Sequence, residues 1–288
     1  MKIGLYGTEN KEATHIVMLQ LIELLKNRGV EVYIYDKFKD LSTKSVQGIF
    51  KNQSDIEGNL DYVLSIGGDG TFLSTATLVG NSGIPVLGIN TGRLGFLANV
   101  SRDNIEHNID LLVEGRFTID SRSMISLNTK SKMFGDTNFA LNEIAIHKKD
   151  SASMVVIHVE ADGNFLNSYW ADGLIISTPT GSTAYSMSCG GPILVPRNKN
   201  FIVTPKAAHH LNIRPIVVPD DIELKLTVEG RDKEFLVSLD SRSESFKATE
   251  ELIVSRANFD LKMVKPEGST FLNTMRSKLH WGIDKRNS

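Results

Sequence analysis

Apolar positions in the first hundred residues follow two alternating periods. Residues 3–6, 30–35, 62–66 and 84–89 are short runs rich in Ile, Val, Leu and Tyr, the pattern of strands buried on both faces. Between them, residues 12–28 carry Ile16, Leu19, Ile22, Leu24 and Leu25 near helical spacing and stop at Gly29, a favoured helix terminator. Residues 71–79 read as a second helix. The alternation predicts βαβ units, hence a parallel sheet covered by helices. A further helix is expected over 103–113, closing at Gly115.

Beyond that glycine the period changes to two. Residues 124–129, 139–147, 154–160, 165–170, 174–177, 222–228 and 235–239 read as strands, and Asp162-Gly163 marks a hairpin turn. Evenly spaced strands with turn signals predict an antiparallel sandwich. Residues 270–279 carry Phe271, Leu272, Met275 and Leu279 at helical spacing and are expected to pack back as a terminal helix. The expected organisation is an α/β domain over 1–100, a β-sandwich domain over 101–265, and a C-terminal helix within 266–288 that returns to the first domain.

Composition adds boundaries. At 288 residues, 41% hydrophobic and 23% charged, the chain can build two cores, and no apolar run reaches the roughly 20 residues of a membrane helix. A net charge of -2 argues against a nucleic-acid binder, and the single Cys189 fits a reducing compartment. A cytoplasmic protein without membrane or nucleic-acid partners is expected.

Three motifs carry chemistry. Gly67-Gly68-Asp69-Gly70-Thr71 lies between a predicted strand and a helix. Its glycines let backbone N–H groups approach a phosphate at the helix N-terminus. A carboxylate there either takes a proton, holds a metal, or simply caps the helix, a role open to Asp69 and Thr71 alike. Thr178-Pro179-Thr180-Gly181-Ser182-Thr183-Ala184-Tyr185-Ser186 offers hydroxyls and turn residues suited to ribose and amide groups, or else is a structural Ser/Thr turn. Asn142-Glu143 puts two adjacent polar residues into an apolar strand, read by itself more readily as an edge strand than as a site. Cys189 reads as a small packed residue, and His209-His210 as structural or pocket-lining.

Taken together, and with Asp172-Gly173, Gly88-Ile89-Asn90-Thr91-Gly92-Arg93-Leu94-Gly95-Phe96-Leu97 and Asn212-Ile213-Arg214-Pro215-Ile216-Val217-Val218-Pro219, these motifs resemble the NAD kinase family in order and spacing. The resemblance implies transfer of a phosphoryl group from ATP, or in some members polyphosphate, to the adenosine 2′-hydroxyl of NAD, with a divalent cation, Mg²⁺, as cofactor. It implies an α/β domain, a β-sandwich domain and a homodimer or homotetramer with a site at the subunit interface. By position, Asp69 is the proton acceptor. Asp69, Gly70, Asn142, Glu143, Asp172, Thr180, Thr183, Ala184, Tyr185, Ser186, Met187, Ser188 and Ala207 are implied to bind NAD. Phe96 belongs either to the core or to the adenine contact. Gly67, Gly68 and Arg93 are candidates for the donor phosphates, Arg93 equally for a solvated surface. The chain departs from some members at Trp170, Arg242 and Ser153, where they carry Arg, Gln and His. A lipid or sugar kinase would share only the first motif, and a dinucleotide-binding regulator would have no need of Asp69.

Overall fold

The computed structural model describes residues 1–8, 12–41, 46–92, 95–149, 154–231 and 234–281. The chain divides into two compact units, Met1–Ser121 with Leu261–Ser288, and Arg122–Asp260. The first unit thus runs past residue 100. The reason lies in the helix α4 described below, whose Ile105, Ile109 and Leu112 join the same core as Ile3, Leu5, Leu64 and Ile89.

In the first unit, β1 (Lys2–Tyr6), α1 (Glu12–Asn27), β2 (Glu31–Tyr35), β3 (Gly48–Phe50), α2 (Gln53–Ile56), β4 (Tyr62–Gly67), α3 (Asp69–Val79), β5 (Val86–Asn90) and α4 (Ile105–Val113) follow in order. The strands pair in parallel in the sequence β3-β2-β1-β4-β5. β4 and β5 are in register from Val63↔Val86 to Gly67↔Asn90, so their C-terminal ends stand side by side. In an open parallel sheet such ends are where ligands bind. α1 buries Val17, Met18, Leu21, Ile22 and Leu25 against this sheet and leaves Ile16 and Leu19 outside.

The second unit begins within β6 (Phe117–Asn128) and contains β7 (Phe139–Ala140), β8 (Glu143–Lys148), β9 (Val155–Ala161), β10 (Asn164–Ala171), β11 (Gly173–Ser177), the short helix α5 (Tyr185–Ser188), β12 (Asn200–Lys206), β13 (Ile216–Pro219), β14 (Leu224–Gly230), β15 (Glu234–Leu239), β16 (Arg242–Lys247) and the start of β17 (Leu252–Pro266). One antiparallel sheet has the order β13-β12-β11-β8-β15-β16. A second holds β10-β9-β14-β17, with β6 paired to β17 and β7. Ile144, Ile146, Leu174, Ile176, Phe201 and Val237 of the first sheet meet Ile157, Val159, Leu226 and Val254 of the second in one core, a sandwich. The hairpin between β9 and β10 turns through Asp162 (φ 47°) and Gly163 (φ 75°), the left-handed pair that a two-residue loop requires.

The end of β17 returns to the first unit, where Met263 pairs in parallel with Val86. α6 (Phe271–Leu279) follows, its N-terminus capped by the Thr270 hydroxyl, which accepts the Asn273 N–H at 3.1 Å. The helix forms where expected, but its apolar stripe is not sealed into a core, since it contains no buried residue.

Phe201 is fully buried between the sheets of the second unit. Phe201→Ala should lower the unfolding free energy by about 3–5 kcal/mol, measured by denaturant titration.

Candidate active site

β4 ends at Gly67, and α3 begins at Asp69 with Gly68 as its N-cap and no side-chain capping bond. The capping role for Asp69 or Thr71 is therefore not what the structure shows. The Asp69 carboxylate instead accepts three backbone N–H bonds from the loop after β5: Phe96 to Oδ2 at 2.9 Å, and Leu97 and Ala98 to Oδ1 at 3.0 Å each. That loop is braced by Asn90 N–H to the Val100 carbonyl (2.8 Å), Gly95 N–H to the Ala98 carbonyl (3.0 Å) and Gly92 N–H to Asn90 Oδ1 (2.7 Å). An ionised carboxylate offers about four acceptor sites. With two bonds on Oδ1 and one on Oδ2, the unused lone pair is on Oδ2.

Gly95 makes this possible. A Cβ on it would lie 1.9 Å from Asp69 Oδ1, so any side chain expels the carboxylate. Gly68 and Gly70 differ: both are exposed, and a Cβ on either meets nothing within 4 Å. The protein's own packing does not demand glycine there, and the missing side chains leave the amides open to approach. Thr71 is buried, with its hydroxyl 3.0 Å from that of Thr8. Phe96 is half-buried, and its amide helps to hold Asp69. Arg93 lies outside the described residues, as does Ser153.

In the second unit the expected strand over 139–147 is interrupted. β7 stops at Ala140, β8 starts at Glu143, and the amides of Leu141, Asn142 and Glu143 all donate to the Asp240 carboxylate, at 2.9, 2.8 and 3.2 Å. β8 lies between β11 and β15, so the edge-strand reading of Asn142-Glu143 fails, and both residues are buried. Asn142 is joined to the Thr178 turn: its carbonyl accepts the Thr178 N–H at 2.9 Å, and a Cβ on Gly181 would lie 2.1 Å from that oxygen.

Alternation along the strands gives the six-stranded sheet one apolar and one polar face. Glu143, Ala145 and His147 of β8 share the polar face with Gly173, Ile175 and Ser177 of β11, and with Ile202, Thr204 and Lys206 of β12. α5 lies over it. Tyr185 stacks on His147 at 5.9 Å with Lys206 Nζ 5.7 Å from its ring centre, and its amide lies near the Glu143 carboxyl group. Ser186 is buried and bonds Thr204 at 2.8 Å, which makes its hydroxyl a packing element. Thr180 is likewise buried, accepting from Arg122 at 3.3 Å. The Thr183 hydroxyl donates to the Thr180 carbonyl, Ala184 is the N-cap of α5, Met187 is half-buried, and Ser188 is exposed. Asp172 pairs with Lys148 at 2.6 Å. Ala207 is exposed and holds φ 47°, a left-handed conformation rare for a residue with a side chain. Cys189 is half-buried, and burial pushes its thiol up. Trp170 meets His210 edge-on at 4.9 Å, and the Arg242 guanidinium donates to the carbonyls of Thr137 and Phe139.

The sequence reading assigned no role to Gly95, Lys148 or Lys206. Nor did it single out Asp240, although an Asp at a strand end, here with φ 52°, is a recognisable turn signal.

Glu143 is the most perturbed acid of this face. Burial, and then the neighbouring Asp240 carboxylate, push it up to about 8 from an ordinary 4.5, against the opposing pull of the Tyr185 amide. Below the ordinary value both folded and unfolded chains are protonated. Between 4.5 and about 8 only the folded chain keeps the proton, so stability falls as pH rises through that window. Glu143→Gln, neutral throughout, should match wild type near the lower end and exceed it by on the order of 1–3 kcal/mol at the upper end, measured by denaturation across the pH range.

The ATP-NAD kinase N-terminal domain family model matches residues 3–117, and the ATP-NAD kinase C-terminal domain model matches 141–266. The chain is 47% identical to the NAD kinase of Flavobacterium psychrophilum over 294 aligned positions, covering 100% of both chains. It is 45% identical to that of Bacteroides fragilis, covering 99% of this chain and 100% of the relative. Among solved structures it resembles an NAD kinase from Archaeoglobus fulgidus in complex with ATP, with a TM-score of 0.76 and 26% identity over 97% of this chain and 99% of that one. It also shares the fold of yeast NADH kinase complexed with NADH, with a TM-score of 0.89 and 21% identity over 100% of this chain and 89% of that one. With both domain models matched and full-length relatives well above 30% identity, this chain belongs to the NAD kinase family.

Proposed function

We propose that this chain transfers the γ-phosphoryl group of ATP to the adenosine 2′-hydroxyl of NAD, giving NADP, with Asp69 as the proton acceptor. Relatives named NAD kinase along the full length support the reaction. The observation that carries the residue assignment is a carboxylate fixed by three amides, with one lone pair left on Oδ2, flanked by the exposed Gly68 and Gly70. A ribose hydroxyl attacks phosphorus poorly until its proton starts to leave. A carboxylate within hydrogen-bond reach takes that proton as attack proceeds, worth typically about 10²–10⁴-fold. Alignment and neutralisation of the transferred group supply the rest.

On this reading Asn142, Glu143, Asp172, Ala207 and the Thr180–Ser188 turn of the second unit hold the dinucleotide, and in the first unit the amides of Gly67 and Gly68 serve the donor. Among the described residues no group of three or more His, Cys, Asp or Glu side chains has metal-binding spacing. The Mg²⁺ ion of this reading would be carried by donor phosphates and water, with Asp69 as a carboxylate that could help to hold it. The ion would neutralise charge on the phosphoryl oxygens. The same reading makes the chain a cytoplasmic homo-oligomer. Among the described helices none is long and apolar enough to cross a membrane. β13 is an edge strand with Ile216 and Val217 exposed, beside a loop whose Leu211 is 91% exposed, a surface suited to a second copy.

Incubation with NAD, Mg²⁺ and ATP, or polyphosphate in a parallel arm, should yield NADP by a specific dehydrogenase readout; no NADP from either donor refutes the reading. Asp69→Asn should lower kcat by about 10²–10⁴-fold and leave the Kd for NAD within about tenfold. Gly95→Ala should lower kcat by about 10²-fold through displacement of Asp69, again with the Kd for NAD largely kept.

A further inference from the structure

The polar face of the six-stranded sheet contains a buried acid whose outer oxygen has no partner. Glu143 is 8% exposed; the Tyr185 amide lies near its carboxyl group, and among the described residues Oε2 has no hydrogen-bond partner. A buried polar atom left in this state costs free energy that a ligand recovers. We propose that Glu143 meets the dinucleotide as a neutral carboxylic acid, donating its O–H to an oxygen of the ligand. The inference rests on the dinucleotide-binding reading above and adds to it the protonation state of the contact.

The surroundings decide where the proton sits. From the β15–β16 turn the Asp240 carboxyl group approaches; burial pushes it up as well, against three N–H bonds and the Arg242 charge that favour its anion. Arg242 on β16 directs its guanidinium to the carbonyls of Thr137 and Phe139. From α5 and its C-terminus come the Tyr185 amide and ring and Cys189, with Lys206 at the end of β12 on the Tyr185 hydroxyl. His147, four residues along β8, stacks on Tyr185 and lies 3.3 Å from Ser238 Oγ. Two buried carboxyl groups this close do not both ionise readily, and the three N–H donors on Asp240 stabilise an anion there better than the surroundings of Glu143 do, which favours the proton on Glu143. Burial and Asp240 hold that proton until about pH 8.

A protonated carboxyl is a donor and requires an acceptor, which a ribose hydroxyl oxygen or a phosphate oxygen supplies. Once ionised, Glu143 can only accept, and it repels phosphate. The other groups of this face titrate elsewhere: burial and Lys206 hold His147 below its ordinary value, burial raises Cys189, and the Tyr185 hydroxyl raises Lys206.

The test is the Kd of NAD, without donor, measured by titration calorimetry between about pH 6.5 and 9.5 for wild type and Glu143→Gln. Wild-type Kd should be flat at the acidic end and then rise about tenfold per pH unit above the break, as one-proton linkage requires. Glu143→Gln should bind with a Kd independent of pH. A wild-type Kd that falls with rising pH, stays flat throughout, or rises identically in Glu143→Gln overturns the proposal while leaving dinucleotide binding intact. The direction in wild type alone is decisive if the variant fails to fold. Absence of NAD binding by wild type at every pH overturns both readings.

Discussion

The three hydrogen bonds from the amides of Phe96, Leu97 and Ala98 to Asp69 join segments 27 to 29 residues apart and set the direction of the carboxylate proposed as proton acceptor. They exist because β4 and β5 pair in parallel with Gly67 opposite Asn90, which brings the start of α3 and the loop after β5 to the same end of the sheet. They also require that Gly95 have no side chain. Hydrogen bonds to a charged acceptor are individually strong, about 1.5–3 kcal/mol each. Three of them on one carboxylate restrict its rotation, and a base held in place loses little freedom when the hydroxyl arrives.

The second unit uses the same device for a different end. Asp240 holds the amides of Leu141, Asn142 and Glu143, breaks the strand at that point, and turns two polar residues into a buried interior position. In the first unit the loop after β5 fixes the carboxylate proposed to act. In the second the carboxylate fixes a loop that carries the residues proposed to bind. The proximity of Asp240 also makes the charge on Glu143 unfavourable. The support thus shapes the chemistry of what it holds.

Much of this was legible in the sequence. Apolar runs and helical periods located β1, β2, β4, β5, α1 and α3 to within a few residues, because strands buried on both faces leave continuous hydrophobic stretches. The Asp162-Gly163 hairpin followed from turn chemistry alone. β16, with one buried residue in six, and β13, with one in four, left no such trace, since edge strands have little apolar periodicity to show. The Gly-Gly-Asp-Gly motif announced a phosphate site with a carboxylate in it, but the partners of that carboxylate lie on another loop and depend on sheet register. Glu143 was misread as an edge residue for a related reason: its burial comes from β11 and β15, and no local pattern reports strands paired from 30 and 90 residues away. Ser186 and Thr180 looked like ligand hydroxyls, yet their partners Thr204 and Arg122 are equally invisible in the local sequence.

The claim that the 95–98 loop acts through Asp69 is tested most directly by a double-mutant cycle on kcat with Gly95→Ala, Asp69→Asn and the two combined. If the glycine serves only to seat the carboxylate, the double variant is no slower than Asp69→Asn alone, since residues that act as a unit are strongly non-additive. Losses that multiply, with the double variant slower by the full Gly95→Ala factor, would contradict the account.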